Sequence, residues 1–233
     1  MFKTYKIIFT MSAPLCFIER PNFDTILIYC YMREKYGNKG VNLKGQVDSG
    51  SFPDLPIEYH PDGFPLASVM FLDTSAEYIG SWKKRWDNKN DDLADFGKQQ
   101  RKIEVGKKAF KSFDMPLSLH HARNVWFYFC SANVQRVQQL ILTQLAGIGK
   151  KVSQGYGFYE KFEIEESDIS FEENVLRPHK IGLDSTIKVM NGAYSKGDAF
   201  PFIKRYCAWR PSYTDTDNFA ECIYPNLRQN ERY

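Results

Sequence analysis

The order in which strand-like and helix-like patterns follow one another constrains the fold of this chain more than any other feature. Residues Tyr5 to Leu15 alternate in polarity and are rich in Ile, Phe and Thr, which predicts a strand. Apolar residues then recur at spacings of three and four from Phe23 to about Tyr36, which predicts a helix that Gly37 ends. Pro65 to Leu72 predicts a second strand.

The same order recurs in the middle of the chain. Arg123 to Cys130 is an aromatic and β-branched run, which predicts a strand. Asn133 to Ala146 has the periodicity of an amphipathic helix, and Gly147 is predicted to end it. Phe158 to Glu165 alternates again. Two strand–helix–strand units separated by an insertion predict an α+β, ferredoxin-like (RRM-like) fold.

The predicted domain organisation follows from these units. Residues 1–165 form the ferredoxin-like domain, and residues 73–115 form a polar insertion within it. Ile103-Glu104-Val105 is predicted to turn at Gly106 into Ala109-Phe110, which makes a β-hairpin inside the insertion. Residues 166–233 are rich in aromatic residues but less regular. They are expected to form a C-terminal extension or a small second domain that completes a core.

Composition narrows the class of protein. The 233 residues are 43% hydrophobic, enough for one sizeable core, and a net charge of +3 decides nothing about partners. The five cysteines form no CxxC pair and the four histidines have no zinc spacing, so we expect reduced thiols, no metal site and no cofactor. The chain has neither a signal-peptide pattern at its start nor an apolar run of about 18 residues, so we expect a cytoplasmic protein without a membrane contact.

Four glycines lie within eleven residues between the second helix and the last strand of the pattern. Glycine permits positive φ and leaves backbone amides uncovered, so a phosphate can approach the main chain. Neighbouring side chains add charge, neutral donors and an aromatic face for a base. The segment contains Gly147, Gly149, Lys150, Lys151, Ser153, Gln154, Gly155, Tyr156 and Gly157. It matches neither a dinucleotide nor a Walker motif, and purely structural glycines remain an alternative.

Positive charge is concentrated in residues 82–111. This segment has ten Lys or Arg and five Asp or Glu, a net charge of +5, so the rest of the chain nets −2. Aromatic and basic residues that alternate could neutralise phosphates and stack on a base. The candidates are Trp82, Lys83, Lys84, Arg85, Trp86, Arg101, Lys102, Lys107, Lys108 and Lys111. A solvated charged hairpin is the alternative.

Two adjacent histidines, His120 and His121, precede Arg123 and are further candidates for RNA contact. A histidine near RNA could also act as a general acid or base. Adjacent residues on an extended chain point to opposite sides, so at most one of the two faces a given site. We therefore expect RNA binding without catalysis, with metal-independent cleavage as the alternative.

The glycine-rich segment resembles the signature loop of the CRISPR-associated RAMP superfamily. Gly147-Ile148-Gly149-Lys150 and Gly155-Tyr156-Gly157 are similar to the two halves of that loop, between the last helix and the last strand. The resemblance implies a ferredoxin-like RAMP domain that binds CRISPR RNA (crRNA). It also implies that the basic insertion is a β-hairpin thumb gripping repeat-derived RNA.

Two further fragments look like the handle-binding subunit of type IV effector complexes. They are residues Pro21 to Tyr29 and the tail stretch Trp209-Arg210-Pro211-Ser212-Tyr213 with Cys222 to Pro225. The resemblance implies a subunit that caps the 5′ handle of the guide RNA, beside backbone and large subunits, in defence against foreign nucleic acid. Contact with target DNA at the PAM-proximal end is left open. The alternatives are a RAMP endoribonuclease that processes pre-crRNA and a repeated backbone subunit that coats the spacer.

Overall fold

A computed structural model describes residues 2–37, 54–84, 113–195, 202–211, 213 and 215–227. Within them the chain is an α+β protein with two antiparallel sheets. The larger sheet contains β1 (Lys3–Met11), β2 (Leu15–Cys16), β3 (Phe71–Lys84), β4 (Phe113–Ser131) and β5 (Tyr159–Glu166).

The long strands of this sheet are ordered β3-β4-β1-β5, with β2 also paired to β4. All of these pairings are antiparallel, and Ile7 in the central strand lies opposite Phe127 on one side and Ile164 on the other. Together with the element order, this strand order is compatible with a ferredoxin-like fold. The strand prediction for β5 is confirmed to within one residue at each end, and β1 is Lys3–Met11 rather than Tyr5–Leu15. Strand β4 contains the predicted Arg123–Cys130 but begins ten residues earlier, at Phe113.

Two helices cover one face of the larger sheet. The first, α1 (Phe23–Tyr36), agrees with its predicted bounds, and the second, α2 (Val134–Gln144), stops two residues earlier than predicted. The cap of α2 is therefore Leu145 rather than Gly147, because the Leu145 amide makes the last helical bond, to Ile141. Apolar side chains of both helices and of β1 and β4 form the main core: Ile7, Phe9, Phe23, Leu27, Val125, Phe127, Phe129, Val137, Leu140 and Ile141.

The prediction that residues 166–233 are irregular was wrong. They contain α3 (Asp184–Ser195) and a second sheet of β6 (His179–Lys180), β7 (Phe202–Ala208) and β8 (Phe219–Pro225), ordered β6-β8-β7. The short strands escaped detection because their exposed positions do not alternate: four successive residues of β7, from Ile203 to Tyr206, are exposed.

This C-terminal region packs against the second face of the larger sheet. Side chains from β3 and β4 share a core with residues near and within β7 and β8: Phe71, Trp126, Tyr128, Cys130, Phe171, Leu176, Cys207, Trp209, Cys222 and Tyr224. Of the aromatic residues of the tail, Trp209 and Tyr224 take part in this shared core. Within the described residues, Phe71, Trp126 and Tyr128 on this face are covered by protein, so they offer no open platform for a nucleic acid.

The segment before β3 differs from its prediction. Strand β3 begins at Phe71 rather than Pro65, because the preceding backbone groups bond to several different segments. Val69 donates to Leu176, Met70 donates to Pro21, and Ser68 donates to Tyr128. Proline at position 65 supplies no amide. Residues 65–70 therefore make isolated bridges instead of one strand.

Strands β3 and β4 run on as a two-stranded ribbon. Their register extends from Phe71 opposite Trp126 to Lys84 opposite Phe113, with irregularities on either side of Thr74. Residues 73–84 and 113–115, assigned by sequence to the insertion, are therefore continuous with strands of the larger sheet. The predicted hairpin at 103–110 lies outside the described residues. In the described part of the chain, no helix has the length and apolarity needed to cross a membrane.

Candidate nucleic-acid interface

The glycine-rich loop, residues 147–157, is braced on the segment around β2. The Lys150 amide donates to the carbonyl of Cys16 at 2.7 Å, and the Gly157 amide donates to that of Pro14 at 2.8 Å. The Ile148 amide closes the loop on the carbonyl of Gly157 at 2.8 Å. The amides of Gln154, Gly155 and Tyr156 also donate within the loop. The expectation that the glycines leave these amides open is wrong for these six residues.

Close packing explains why glycine occupies three of the four glycine positions in the loop. A Cβ at Gly157, where φ is 71°, would overlap the carbonyl oxygen of Ile148. A Cβ at Gly149 would lie 2.8 Å from the carbonyl oxygen of Cys16, and one at Gly147 would lie 2.9 Å from that of Gly157. At Gly155, where φ is 94°, an added Cβ would meet no atom within 4 Å, so only the backbone conformation calls for glycine. The alternative of structural glycines therefore explains much of the motif.

A shorter stretch of the loop keeps its amides available. Among the described residues, no acceptor takes the backbone amides of Gly147, Gly149, Lys151, Val152 or Ser153. Lys151 adopts the left-handed conformation with φ of 64°, and a tight turn follows it. Successive amides that turn through left-handed and right-handed conformations form a concave donor group that suits an anion. Such a conformation costs a non-glycine residue about 1–3 kcal/mol.

The loop meets the ribbon through an aromatic contact. The Nζ atom of Lys151 lies 3.6 Å from the ring centroid of Trp82, which belongs to β3. Tyr156 and Trp82 both pack, half-buried, on the small cluster of Cys16, Leu117 and Leu119. The structure thus brings together two segments that sequence analysis identified separately, the glycine-rich loop and the start of the basic segment.

The electrostatics around this contact favour an anion. Burial raises the pKa of the Cys16 thiol beneath the loop. The positive charges of Lys150 and Lys151 lower it, but to a smaller extent. Lys150, Ser153 and Gln154 are exposed, and Lys151 is half-buried. Two adjacent cations above uncovered amides form a surface that suits a phosphate.

The remaining basic candidates are either less available to bind a phosphate or lie outside the described residues. Lys83 forms an ion pair with Asp114 at 3.3 Å across the ribbon, so part of its charge is compensated locally. Lys84 is the last residue of β3, and its side chain is outside the described set. The following candidates also lie outside the described residues: Arg85, Trp86, Arg101, Lys102, Lys107, Lys108 and Lys111.

The two histidines lie on opposite sides of β4, as predicted. His120 is buried, and its ring stacks on Phe17 at 3.9 Å between centroids. Its Nε2 atom lies 3.2 Å from Ser118 Oγ, and its Nδ1 atom lies 3.1 Å from Glu77 Oε1. Both ring nitrogens therefore serve the ribbon, which is a structural role.

The other side of β4 presents His121 and Arg123, which are both exposed. His121 stacks on Tyr78 of β3, with 5.4 Å between the ring centroids. Of the two histidines, only His121 has the exposure needed for a contact with RNA.

Sequence analysis missed a groove beside the loop, which we call the side groove. It has a volume of about 400 Å³, and Phe17, Tyr29 and Val152 contribute to its wall. These residues come from the segment after β2, from α1 and from the loop. No local pattern connects them, because their contact depends on how the loop folds over β2.

The two fragments that suggested a subgroup meet in the interior. The hydroxyl of Tyr213 donates to Asp24 Oδ2 at 2.6 Å and accepts from the guanidinium of Arg177 at 3.0 Å. Arg177 also donates to the carbonyl oxygens of Pro65, Ala67 and Trp209. Asp24 and Arg177 are fully buried. We call Asp24, Arg177 and Tyr213 the buried clamp, since it ties the tail to α1.

Comparison with known proteins adds no assignment: no protein-family model matches the chain, and no curated protein is significantly similar in sequence. In the part of the chain that the structure describes, no three His, Cys, Asp or Glu side chains are grouped as metal ligands. All five cysteines are buried and free.

Proposed function

We propose that this chain is an RNA-binding RAMP-type subunit of a CRISPR effector ribonucleoprotein, similar to type IV complexes, and that it holds the 5′ repeat handle of the guide RNA. The contact of Lys151 with Trp82, beside Tyr156 and the uncovered loop amides, is the observation that carries this proposal. A phosphate fits the amides and lysines, and an adjacent base fits the aromatic faces.

The covered sheet supports this choice of surface. An RRM-like sheet binds RNA through aromatic side chains on its open face. Here Trp126 and Tyr128 on that face pack against the C-terminal region and are buried. RNA binding is therefore proposed at the loop and the ribbon, where exposed cations and aromatic rings lie together.

The ribbon gives the proposal a second contact. Its arms lead directly into residues 85–112, which hold eight of the ten Lys and Arg residues of the basic segment. We propose that this continuation acts as the thumb that the family resemblance implies. Cleavage of RNA is not part of the proposal, because both ring nitrogens of His120 bind side chains of the ribbon.

Sequencing of the bound RNA tests the proposal. The full chain would be purified from cells that carry its own CRISPR locus, and the RNA that accompanies it would be sequenced and counted per chain. We expect guides that share a 5′ repeat-derived end, at one chain per guide. Several chains per guide would favour the backbone-subunit alternative, and RNA without a common 5′ end would contradict handle binding.

A further inference from the structure

The side groove lies against the loop, which contributes Gly147, Gly149, Lys150 and Val152 to its lining. Its floor and walls are mostly apolar. Its lining includes Phe17, Pro21, Ile26, Tyr29, Leu145 and Val152. A volume of about 400 Å³ exceeds what one nucleobase requires. A flat apolar ligand bound in the groove would therefore have part of its surface removed from water.

The aromatic part of the groove is held rigidly. The Phe17 ring stacks on His120, with an angle of 4° between the planes, and His120 is fixed by Glu77 and Ser118. Tyr29, on α1, accepts a hydrogen bond from Arg33. A wall that is ordered in advance loses little conformational entropy when a ring packs on it.

The rim of the groove carries opposite chemistry on its two sides. Gly149, whose amide has no acceptor among the described residues, and the exposed Lys150 form the loop side. Thr25 and Glu19 form the other side, and Glu19 is neutralised by an ion pair with Arg205. A net positive rim next to an apolar aromatic floor is complementary to a phosphate joined to a base.

We propose that the side groove takes one unstacked base of single-stranded RNA, while the neighbouring phosphate lies against Gly149 and Lys150. This inference rests on the proposed function, because it assigns the base-binding part of the same surface. It also gives the loop a second aromatic neighbour, because loop residues line the groove and Lys151 contacts Trp82 of the ribbon. The RNA strand then crosses the loop near two stacking surfaces, the groove and the ribbon.

A groove-filling variant tests the inference. Thr25 is exposed on the rim, so Thr25→Trp places a ring in the groove without disturbing a buried contact. Leu142→Trp, at a position on α2 that is 65% exposed and outside the groove, is the matched control. Val152→Trp fills the groove from the loop and replaces Thr25→Trp if that variant fails to fold.

Two probes separate base contacts from phosphate contacts. An oligouridylate of about twelve nucleotides and an abasic oligomer of equal length and charge would be titrated against the full-length chain. We expect Thr25→Trp to weaken binding of oligouridylate about ten-fold and to leave binding of the abasic oligomer unchanged, since one stacked base contributes about 1–3 kcal/mol. Leu142→Trp should change neither affinity.

The outcomes distinguish the groove from the function as a whole. If Thr25→Trp and Val152→Trp leave oligouridylate affinity unchanged, while loss of Lys150 and Lys151 weakens it, the groove assignment is wrong and RNA binding by the loop stands. If the wild-type chain binds neither oligomer, both proposals fail. Loss of a protein partner from Thr25→Trp, with RNA affinity intact, would assign the groove to a protein interface instead.

Discussion

The glycine-rich loop and the buried clamp both concentrate charged and polar side chains, but they use them in opposite ways. In the clamp, Arg177 directs its donors to backbone carbonyls and to Tyr213, and Arg177 itself is fully buried. In the loop, Lys150 is exposed, and the amides of Val152 and Ser153 have no acceptor among the described residues. Charge in the clamp therefore stabilises the fold, whereas charge in the loop remains available for a ligand.

The largest effect is expected in the clamp. Arg177→Met should lower the free energy of unfolding by about 3–5 kcal/mol, because three carbonyls and Tyr213 lose their donor and Asp24 loses its nearby positive charge. Arg123→Met, at an exposed position of β4, is the control and should cost less than about 0.5 kcal/mol. Denaturant unfolding measures both. Equal stabilities would remove the contrast between clamp and surface.

The second effect depends on pH and also belongs to the interior. Burial, together with the charge of Arg177, lowers the pKa of His179 to about 3. The folded-state pKa is below the unfolded value, so the unfolded chain binds a proton first and stability falls as pH drops below about 6.5. We expect a loss of roughly 2 kcal/mol between pH 7 and pH 5 from this group. The variant His179→Gln should lack that part of the loss in unfolding measurements made across this range.

The third effect concerns the loop, where substitutions should change RNA binding more than stability. Replacing Lys150 and Lys151 by Ala should leave the free energy of unfolding within about 1 kcal/mol, since the cation–π interaction with Trp82 is the main one removed. Binding of oligouridylate should weaken, and the slope of log affinity against log salt should flatten by about 1.4, or about 0.7 for each phosphate that is no longer neutralised. Replacing Lys161 and Lys188, which lie outside the loop, by Ala gives the matched control for net charge. An unchanged slope in the loop variant would mean that the loop is ordinary surface.

The smallest effect on stability is expected for Lys151→Gly. Glycine relieves the left-handed strain at this position but removes the interaction with Trp82, and the two terms are each about 1 kcal/mol. We therefore expect a change in unfolding free energy near zero, together with weaker RNA binding. If the variant is much less stable, Lys151 serves the fold and belongs with the clamp.

Local periodicity predicted the elements that carry the fold. Strand β1 and helices α1 and α2 each bury a regular set of side chains, and β5 half-buries Phe162 and Ile164, so their spacing is visible in the sequence. The sequence predicted the loop between a helix and a strand, and the structure has it between α2 and β5. Its bracing did not, because the Gly157 amide bonds to Pro14, far away along the chain. Among the described residues, the predicted open amides are accordingly limited to five of the eleven in the loop.

Contacts between distant segments account for the rest. Tyr213 and Asp24 lie 189 positions apart, and no local pattern links them, so their role as a structural tie could not be read from the two fragments. Strands β7 and β8 pack against β3 and β4, and α3 packs through Val189 on Ile223 of β8, so these elements also depend on contacts between distant segments. From the sequence, a catalytic role for His120 was an alternative. Only its contacts with the cross-strand neighbour Glu77 and the stacked Phe17 identify it as a structural residue.

Photochemical cross-linking of the chain to the RNA that co-purifies with it tests the central claim most directly. Peptides joined to RNA would be identified by mass spectrometry. The loop–ribbon assignment predicts cross-links at Tyr156 and Trp82, whose rings lie beside the lysines of the loop. Cross-links confined to the acidic strand β5 or to α3, with none at the loop or the ribbon, would contradict it.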